Sequence, residues 1–528
     1  MYDYVIVGGG SAGCALAARL SEDPSVSVCL IEAGPADTSD VIHVPSQFGR
    51  LFRTSLDWDY DSHEEPFLEG RRIYLPRGRV LGGSSSMNAG IYLRNSRLDY
   101  DRWGEPGWNY DDVLPYFLRS EDNERGASAY HGAGGPLGVS DGRSENPVSA
   151  AFVAAGQEAG FARNDDFNGP SRDGFGFFQV TQRDGRRCSA AVAFLHPAAN
   201  RPNLTVELNL QVHRVLVEGG RATGVAGRRL DEEITIRAGR EVVLCGGAYN
   251  SPQLLMLSGI GPADHLRQLG VPVAVDNPAV GANLQDHVLV PLILTLAEPV
   301  SLLMGLDPRY QRQFVEEGRG PLTSNGPEAG GFVRTRPELA EPDVGYFAAP
   351  VMFLDAGLSA PAGHAITYGP CVLRPESSGR VMLASADPTA KPKIEHGYFA
   401  AEADVAAAMA GLRIGLDIAR TQPLAGSVSS FFRAPDSESD ADLRSYIRRY
   451  AHSLFDVTGG CALGSVVDAE LRVMGVDALR VVDASVMPEV GGGTPNASVI
   501  MIAERAADLM RGLRSPEGEG AAALPAGR

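Results

Sequence analysis

No stretch of the 528-residue chain approaches the roughly 20 apolar residues that a membrane helix needs. Positive charge is in deficit. The 47 Lys and Arg against 65 Asp and Glu leave a formal net charge of -18, which disfavours a nucleic-acid or anionic-membrane partner, because either needs clustered Lys and Arg. Cysteine is sparse: Cys14, Cys29, Cys188, Cys245, Cys371 and Cys461 form no CxxC pair, and each lies in an apolar or Gly-rich setting. Reduced, buried thiols are expected, not a disulfide framework. The histidines include no HExxH and no close His/Cys grouping, so no metal site is expected. The first strand begins within MYDYVIVGGG, leaving no room for a signal peptide, and a cytoplasmic location is expected.

What the chain has in quantity is glycine, 62 residues gathered in short motifs. Such clusters serve close backbone approach to ligands. The length exceeds what one core supports, so two domains are expected. YVIVGGGSAGCALAARLSEDPSVSVCLIEAG, from Tyr4 to Gly34, joins a buried-strand pattern at Tyr4–Val7 to a helical stretch reaching Leu20 and a second strand at Val26–Ile31. Gly8 permits the tight turn, Gly10 lets the backbone approach a pyrophosphate, and Gly13 lets helix and strand pack closely. Free N–H groups at the helix start, beginning at Ser11, face phosphates. Glu32, followed by Ala33, can accept hydrogen bonds from ribose hydroxyls and disfavours a 2′-phosphate. This motif by itself does not separate FAD from NAD.

Further stretches choose between them. RGRVLGGSSSMNAGIYLRN (Arg77–Asn95), GAYNSPQLLMLSGIGP (Gly247–Pro262) and SVVDAELRVMGVDALRVVDASVMPEVGGGTPNASVIMIAERAADLM (Ser465–Met510) join the N-terminal motif. GRRCSAAVAFLHPAANRPNLTV (Gly185–Val206) and RPESSGRVMLASADPTAKPKI (Arg374–Ile394) add to them. In this order and spacing they resemble the glucose-methanol-choline (GMC) family of flavoprotein oxidoreductases over most of the chain. The resemblance implies FAD and an α/β fold, a Rossmann-like FAD-binding domain interleaved with an antiparallel-sheet substrate domain. It implies an FAD-binding domain at 1–135, 184–290 and 454–515 and a substrate domain at 136–183 and 291–453, while the composition of the last residues predicts a flexible tail at 516–528. It also implies flavin contacts from Val80, Gly82, Gly83, Asn88 and Gly90, an adenine contact from Val212, and contacts from Asp483, Ala484, Asn496 and Ala497. Some relatives attach the flavin through a His just before that Asn. Met87 stands there instead, so FAD is expected to be non-covalent.

Relatives keep a catalytic His in a segment like HPVGTCRMG. Aligned without gaps, SLFDVTGGCALG (Ser453–Gly464) puts Asp456 at that position. The second His/Asn position is read as Asn496. His452 lies four residues early, and a strand through both would hold it about 13 Å from Asp456. A carboxylate can take a proton, but while ionised it repels negative charge developing on the flavin. Three roles fit Asp456: a substitute base in alcohol oxidation, an anchor for a cationic or polyhydroxylated substrate, or a sign that alcohol oxidation is lost. The last would leave a lyase, an isomerase or a light-driven decarboxylase, activities found among GMC relatives. The leading expectation is hydride transfer from a small to medium alcohol to flavin N5, by a dehydrogenase using an external electron acceptor rather than an oxidase. Asp456 would take the proton and Asn496 would orient the hydroxyl.

Overall fold

The computed structural model describes residues 1–513, so the tail expected at 516–528 lies outside the described residues. The apolar run at the N-terminus forms strand Tyr2–Val7 at the centre of a parallel sheet. Val28–Ile31 lies on one side of it with Leu204–Glu207 beyond, and the end of Glu232–Leu244 lies on the other with Leu479–Val481 beyond. The second strand starts at Val28, slightly later than the sequence pattern suggests, and the last ends at Val481.

Strand Glu232–Leu244 changes role along its length. Its first part alternates in burial and pairs antiparallel with Arg221–Arg229, while Val242, Val243 and Leu244 are fully buried in the parallel sheet. Alternation suits a sheet wet on one face, and an unbroken apolar run suits one covered on both. A hairpin joins Gln211–Glu218 to Arg221–Arg229. Its turn is Gly219-Gly220, at φ +59° and +80°, the left-handed conformation that a two-residue turn of this kind requires. Helices Ser11–Leu20 and Pro495–Arg511 pack together, joined by the buried Glu504, which takes Arg19 at 2.8 Å and Arg119 at 2.6 Å.

The other half is a six-stranded antiparallel sheet in the order His452–Ser453, Val288–Leu289, Pro370–Val372, Val344–Ala348, Ala329–Val333 and Gly174–Phe177. Helix Glu402–Arg420 packs on its middle strands, and helix Pro147–Glu158 covers the Gly174–Phe177 end. Val288–Leu289 pairs within this sheet, although the boundary read from the sequence puts residues up to 290 with the nucleotide half. All six cysteines are buried and free. Among the described residues no helix is long and apolar enough to cross a membrane.

Candidate active site

One cavity of about 840 Å³ runs from the N-terminal glycine loop to the antiparallel sheet. Its nucleotide end is a crossing of two glycine loops. A Cβ on Gly83 would lie 2.6 Å from the Gly10 Cα, and one on Gly8 would lie 2.3 Å from the Cys245 carbonyl oxygen. A Cβ on Gly10 meets nothing closer than 3.8 Å, so Gly10 opens onto the cavity. Gly13 does not line it. A Cβ there would sit 1.9 Å from the Gly8 carbonyl oxygen, so this glycine serves helix–strand packing. Glu32 lines the cavity and accepts from the N–H groups of Gly9 and Gly34, each at 2.8 Å. Burial lifts its carboxyl to about 7.

Gly8, Gly10, Ser11, Glu32, Ala33, Gly83, Asn88, Gly90, Val212, Asp483, Ala484 and Asn496 all line this one cavity. Val80, Gly82 and Ala497 do not. Val80 packs with Ile42, Leu51 and Met87, Gly82 turns the loop at φ +88°, and Ala497 is buried. Met87 also lines the cavity. Behind Asn88 lies Arg187, a buried guanidinium that donates to the carbonyls of Ile42 (2.8 Å) and Ser85 (3.1 Å) and to Asn88 Oδ1 (2.8 Å). Burial lowers it to about 10, and it pins the loop that carries Asn88. The sequence gives no signal of that role. Asp483 caps the turn Ala484–Val486 and accepts from the Gly247 N–H at 2.8 Å. Asn496 Oδ1 accepts from Ser11 Oγ at 2.7 Å, which ties the start of helix Pro495–Arg511 to the nucleotide loop. The unpaired N–H groups of that helix end favour negative charge. Backbone-lined glycine loops, a helix start and a carboxylate at the strand end together fit FAD.

Asp456 is displayed by a distortion of the antiparallel ladder. His287 pairs with Leu454, and Gln285 pairs with Thr458. One residue, Asp286, therefore faces three, Phe455 to Val457. Such bulges re-aim side chains next to functional sites. Phe455 stands at φ +70°, a conformation costly for a bulky residue and kept only where the surroundings enforce it. Its carbonyl accepts from Arg77 Nη2 at 2.6 Å, and its N–H donates to Ser453 Oγ at 2.7 Å. The strand expected through His452 and Asp456 therefore stops at Ser453. His452 still lines the cavity, and burial lowers its imidazole to about 4.

Asp456 is 8% exposed and lines the cavity. Its Oδ2 lies 2.9 Å from His287 Nδ1, and its N–H donates to Asp286 Oδ1 at 2.8 Å. His287 Nε2 donates to the carbonyls of Gly491 at 2.9 Å and Leu373 at 3.0 Å. Burial works against a charged His287, but the Asp456 carboxylate outweighs it and the imidazole is raised. Asp286 accepts from Tyr398 at 2.6 Å and from Ser453, and burial raises it to about 6. Sequence reading passed over Asp286 and His287. Their one signal is an adjacent Asp-His pair ahead of the apolar run VLVPLIL.

Comparison with known proteins agrees with this layout. Family models described as GMC oxidoreductase match residues 2–289 and 375–503. The chain is 46% identical over 527 residues to an uncharacterized GMC-type oxidoreductase of Mycobacterium tuberculosis, covering 96% of this chain and 99% of that one. It is 40% identical over 536 residues to the mitochondrial choline dehydrogenase of Homo sapiens, covering 97% and 90%. Its fold matches the crystal structure of pyridoxine 4-oxidase from Mesorbium loti at a TM-score of 0.89 and 32% identity, covering 97% and 99%.

Proposed function

The chain belongs to the GMC oxidoreductase family, as an FAD-dependent enzyme acting on alcohols, and we propose that its substrate is an uncharged, mainly apolar alcohol of small to medium size. Asp456 takes the hydroxyl proton. The observation that carries this reading is the display of Asp456 into the cavity, directly after the strained Phe455 whose carbonyl is held by Arg77. When bound, FAD supplies the acceptor for the two electrons of the oxidation. Asp456 Oδ1 makes no hydrogen bond to protein among the described residues, which leaves it free to receive the proton. Asn496 keeps its amide NH₂ to steady the substrate oxygen, because Ser11 donates to its carbonyl oxygen.

The substrate class follows from the cavity walls away from the nucleotide end. These include Phe48, Phe52, Leu302, Leu303, Leu306, Met352, Phe353 and Leu358. The carboxylates that line the cavity are Glu32, Asp456 and Asp483. Backbone N–H groups hold Glu32 and Asp483, and His287 faces Asp456. None is left uncompensated for a quaternary ammonium such as choline. In steady-state assays with an artificial acceptor, kcat/KM for octan-1-ol or benzyl alcohol should exceed that for choline at least about tenfold, a difference of about 1.4 kcal/mol. A preference for choline would refute this substrate class.

We further propose a dehydrogenase with an external acceptor, because position 456 offers a carboxylate and a 40% identical relative is a choline dehydrogenase. Oxygen consumption should then be slow beside reduction of a quinone or dye, and fast oxygen uptake would contradict it. The alternative, lyase, isomerase or light-driven chemistry, predicts that no alcohol bleaches the flavin anaerobically. Met87 supports non-covalent FAD, since a thioether offers no imidazole nitrogen for attachment. Acid denaturation should release all of the FAD into the supernatant, and flavin fluorescence left on the polypeptide would contradict that.

A further inference from the structure

Asp456 on its own is an awkward base, since a lone buried carboxylate opposes the negative charge that oxidation builds beside it. The geometry behind it removes the difficulty. Both carbonyls facing His287 Nε2, those of Leu373 and Gly491, can only accept. Nε2 therefore keeps its proton. One further proton lies between Nδ1 and Asp456 Oδ2, which are 2.9 Å apart. Whichever atom holds it, Asp456 and His287 together carry no net charge. We propose that the proton acceptor is this Asp456–His287 pair, with His287 a positioning residue that holds the compensating charge behind the carboxylate. This inference rests on the alcohol-oxidising reading above.

The step balances. The substrate O–H proton goes to Asp456 Oδ1, and the carbonyl forms as the α-hydrogen leaves with two electrons, for which bound FAD would be the acceptor. The pair, neutral at rest, then carries one positive charge while the site becomes more negative. It supplies on demand what an imidazole at position 456 would supply directly.

Other charges face the pair and enter its titration. Asp286 lies against the Asp456 N–H, with Ser453 and Tyr398 on its outer oxygen. Arg77 holds the Phe455 carbonyl and acts electrostatically on Asp286. The Cys371 thiol is buried nearby and kept protonated, first by burial and then by Asp456. His452, on the same segment, is held neutral by burial. Arg77 works against the burial that raises Asp286, and of these groups only His287 makes a hydrogen bond to the Asp456 carboxylate.

The test uses the FAD-loaded enzyme and His287→Gln. Without its cation, buried Asp456 holds a proton more tightly. The acid limb of kcat/KM should move up by at least about one pH unit, because the base must be deprotonated to act. The midpoint potential of the bound FAD should become more negative, and kcat should fall more than KM rises. His287→Lys, which restores a cation, should recover part of the limb. If folded, fully loaded His287→Gln keeps the wild-type limb and potential, the proposal is wrong. A shift produced by His452→Gln instead would make His452 the base and overturn it too. Should His287→Gln fail to fold, ¹⁵N-histidine NMR of the wild-type and Asp456→Asn holoenzymes decides. A strongly shifted Nδ1 signal coupled to the shared proton is expected in the wild type and lost in Asp456→Asn, while an ordinary neutral His287 in both would refute the pair. If wild-type enzyme oxidises no alcohol, the alcohol reading fails, and the NMR signature still judges the pair by itself.

Discussion

Asp456→Asn is expected to lower kcat/KM for an apolar alcohol by about 10²- to 10⁴-fold, the usual contribution of a general base. FAD content and thermal stability should stay near wild type. The substitution is nearly isosteric, and the Asn amide NH₂ can donate to His287 Nδ1, which is unprotonated once the carboxylate is gone, so the bulge and the cavity wall keep their shape. Only the capacity to take a proton is lost. Anaerobic stopped-flow reduction checks this directly, because the loss should fall on the rate of flavin bleaching and not on substrate affinity. The competing role for Asp456, an anchor for a cationic substrate, makes the opposite split: binding of a cationic alcohol collapses while bleaching at saturation survives. A folded, loaded Asn variant that keeps more than about a tenth of wild-type activity would remove Asp456 from the chemistry. Asp456→His should retain activity, since an imidazole there can share a proton with His287 and accept the substrate's.

The second large effect separates two glycines of one motif. Gly10→Val should abolish FAD binding yet leave the apoprotein as stable as wild type. Its Cβ meets nothing within 3.8 Å in the protein but enters the space a pyrophosphate needs. Gly13→Ala should do the reverse in order. A Cβ 1.9 Å from the Gly8 carbonyl oxygen overpacks the helix–strand contact and should cost about 3 kcal/mol or more of stability. FAD loss would follow from the damaged fold. Thermal melts of the apoproteins beside FAD titrations tell the two apart. Equal destabilisation by both substitutions would mean that Gly10 packs against protein and does not open onto a ligand.

The nucleotide end was legible because its chemistry is local. Gly8, Gly10, Gly13 and Glu32 lie within one strand–helix–strand unit, so spacing alone puts them together. Loops far along the chain, LGGSSSMNAG and the segment around Asp483, were legible only through resemblance, since nothing in their own pattern says that they meet the first loop. Asn496 shows the limit of position without contact. It lines the cavity, but Ser11 already holds its oxygen.

The sequence by itself determined the parallel strands of the nucleotide unit, its dinucleotide-binding glycine motif and, through resemblance, FAD and the unusual carboxylate at position 456. Those features are written in short-range periodicity, in glycine spacing and in one substitution within a recognisable segment. Only the tertiary structure decided what stands beside that carboxylate. His287 is 169 residues away in the chain, and it reaches Asp456 because two short antiparallel strands pair in one register and then bulge. Register and bulge are set by packing across a whole sheet, and single-strand patterns carry no trace of them. The buried charge thus acquires its partner, and with it a neutral resting state, from a contact the sequence does not spell out.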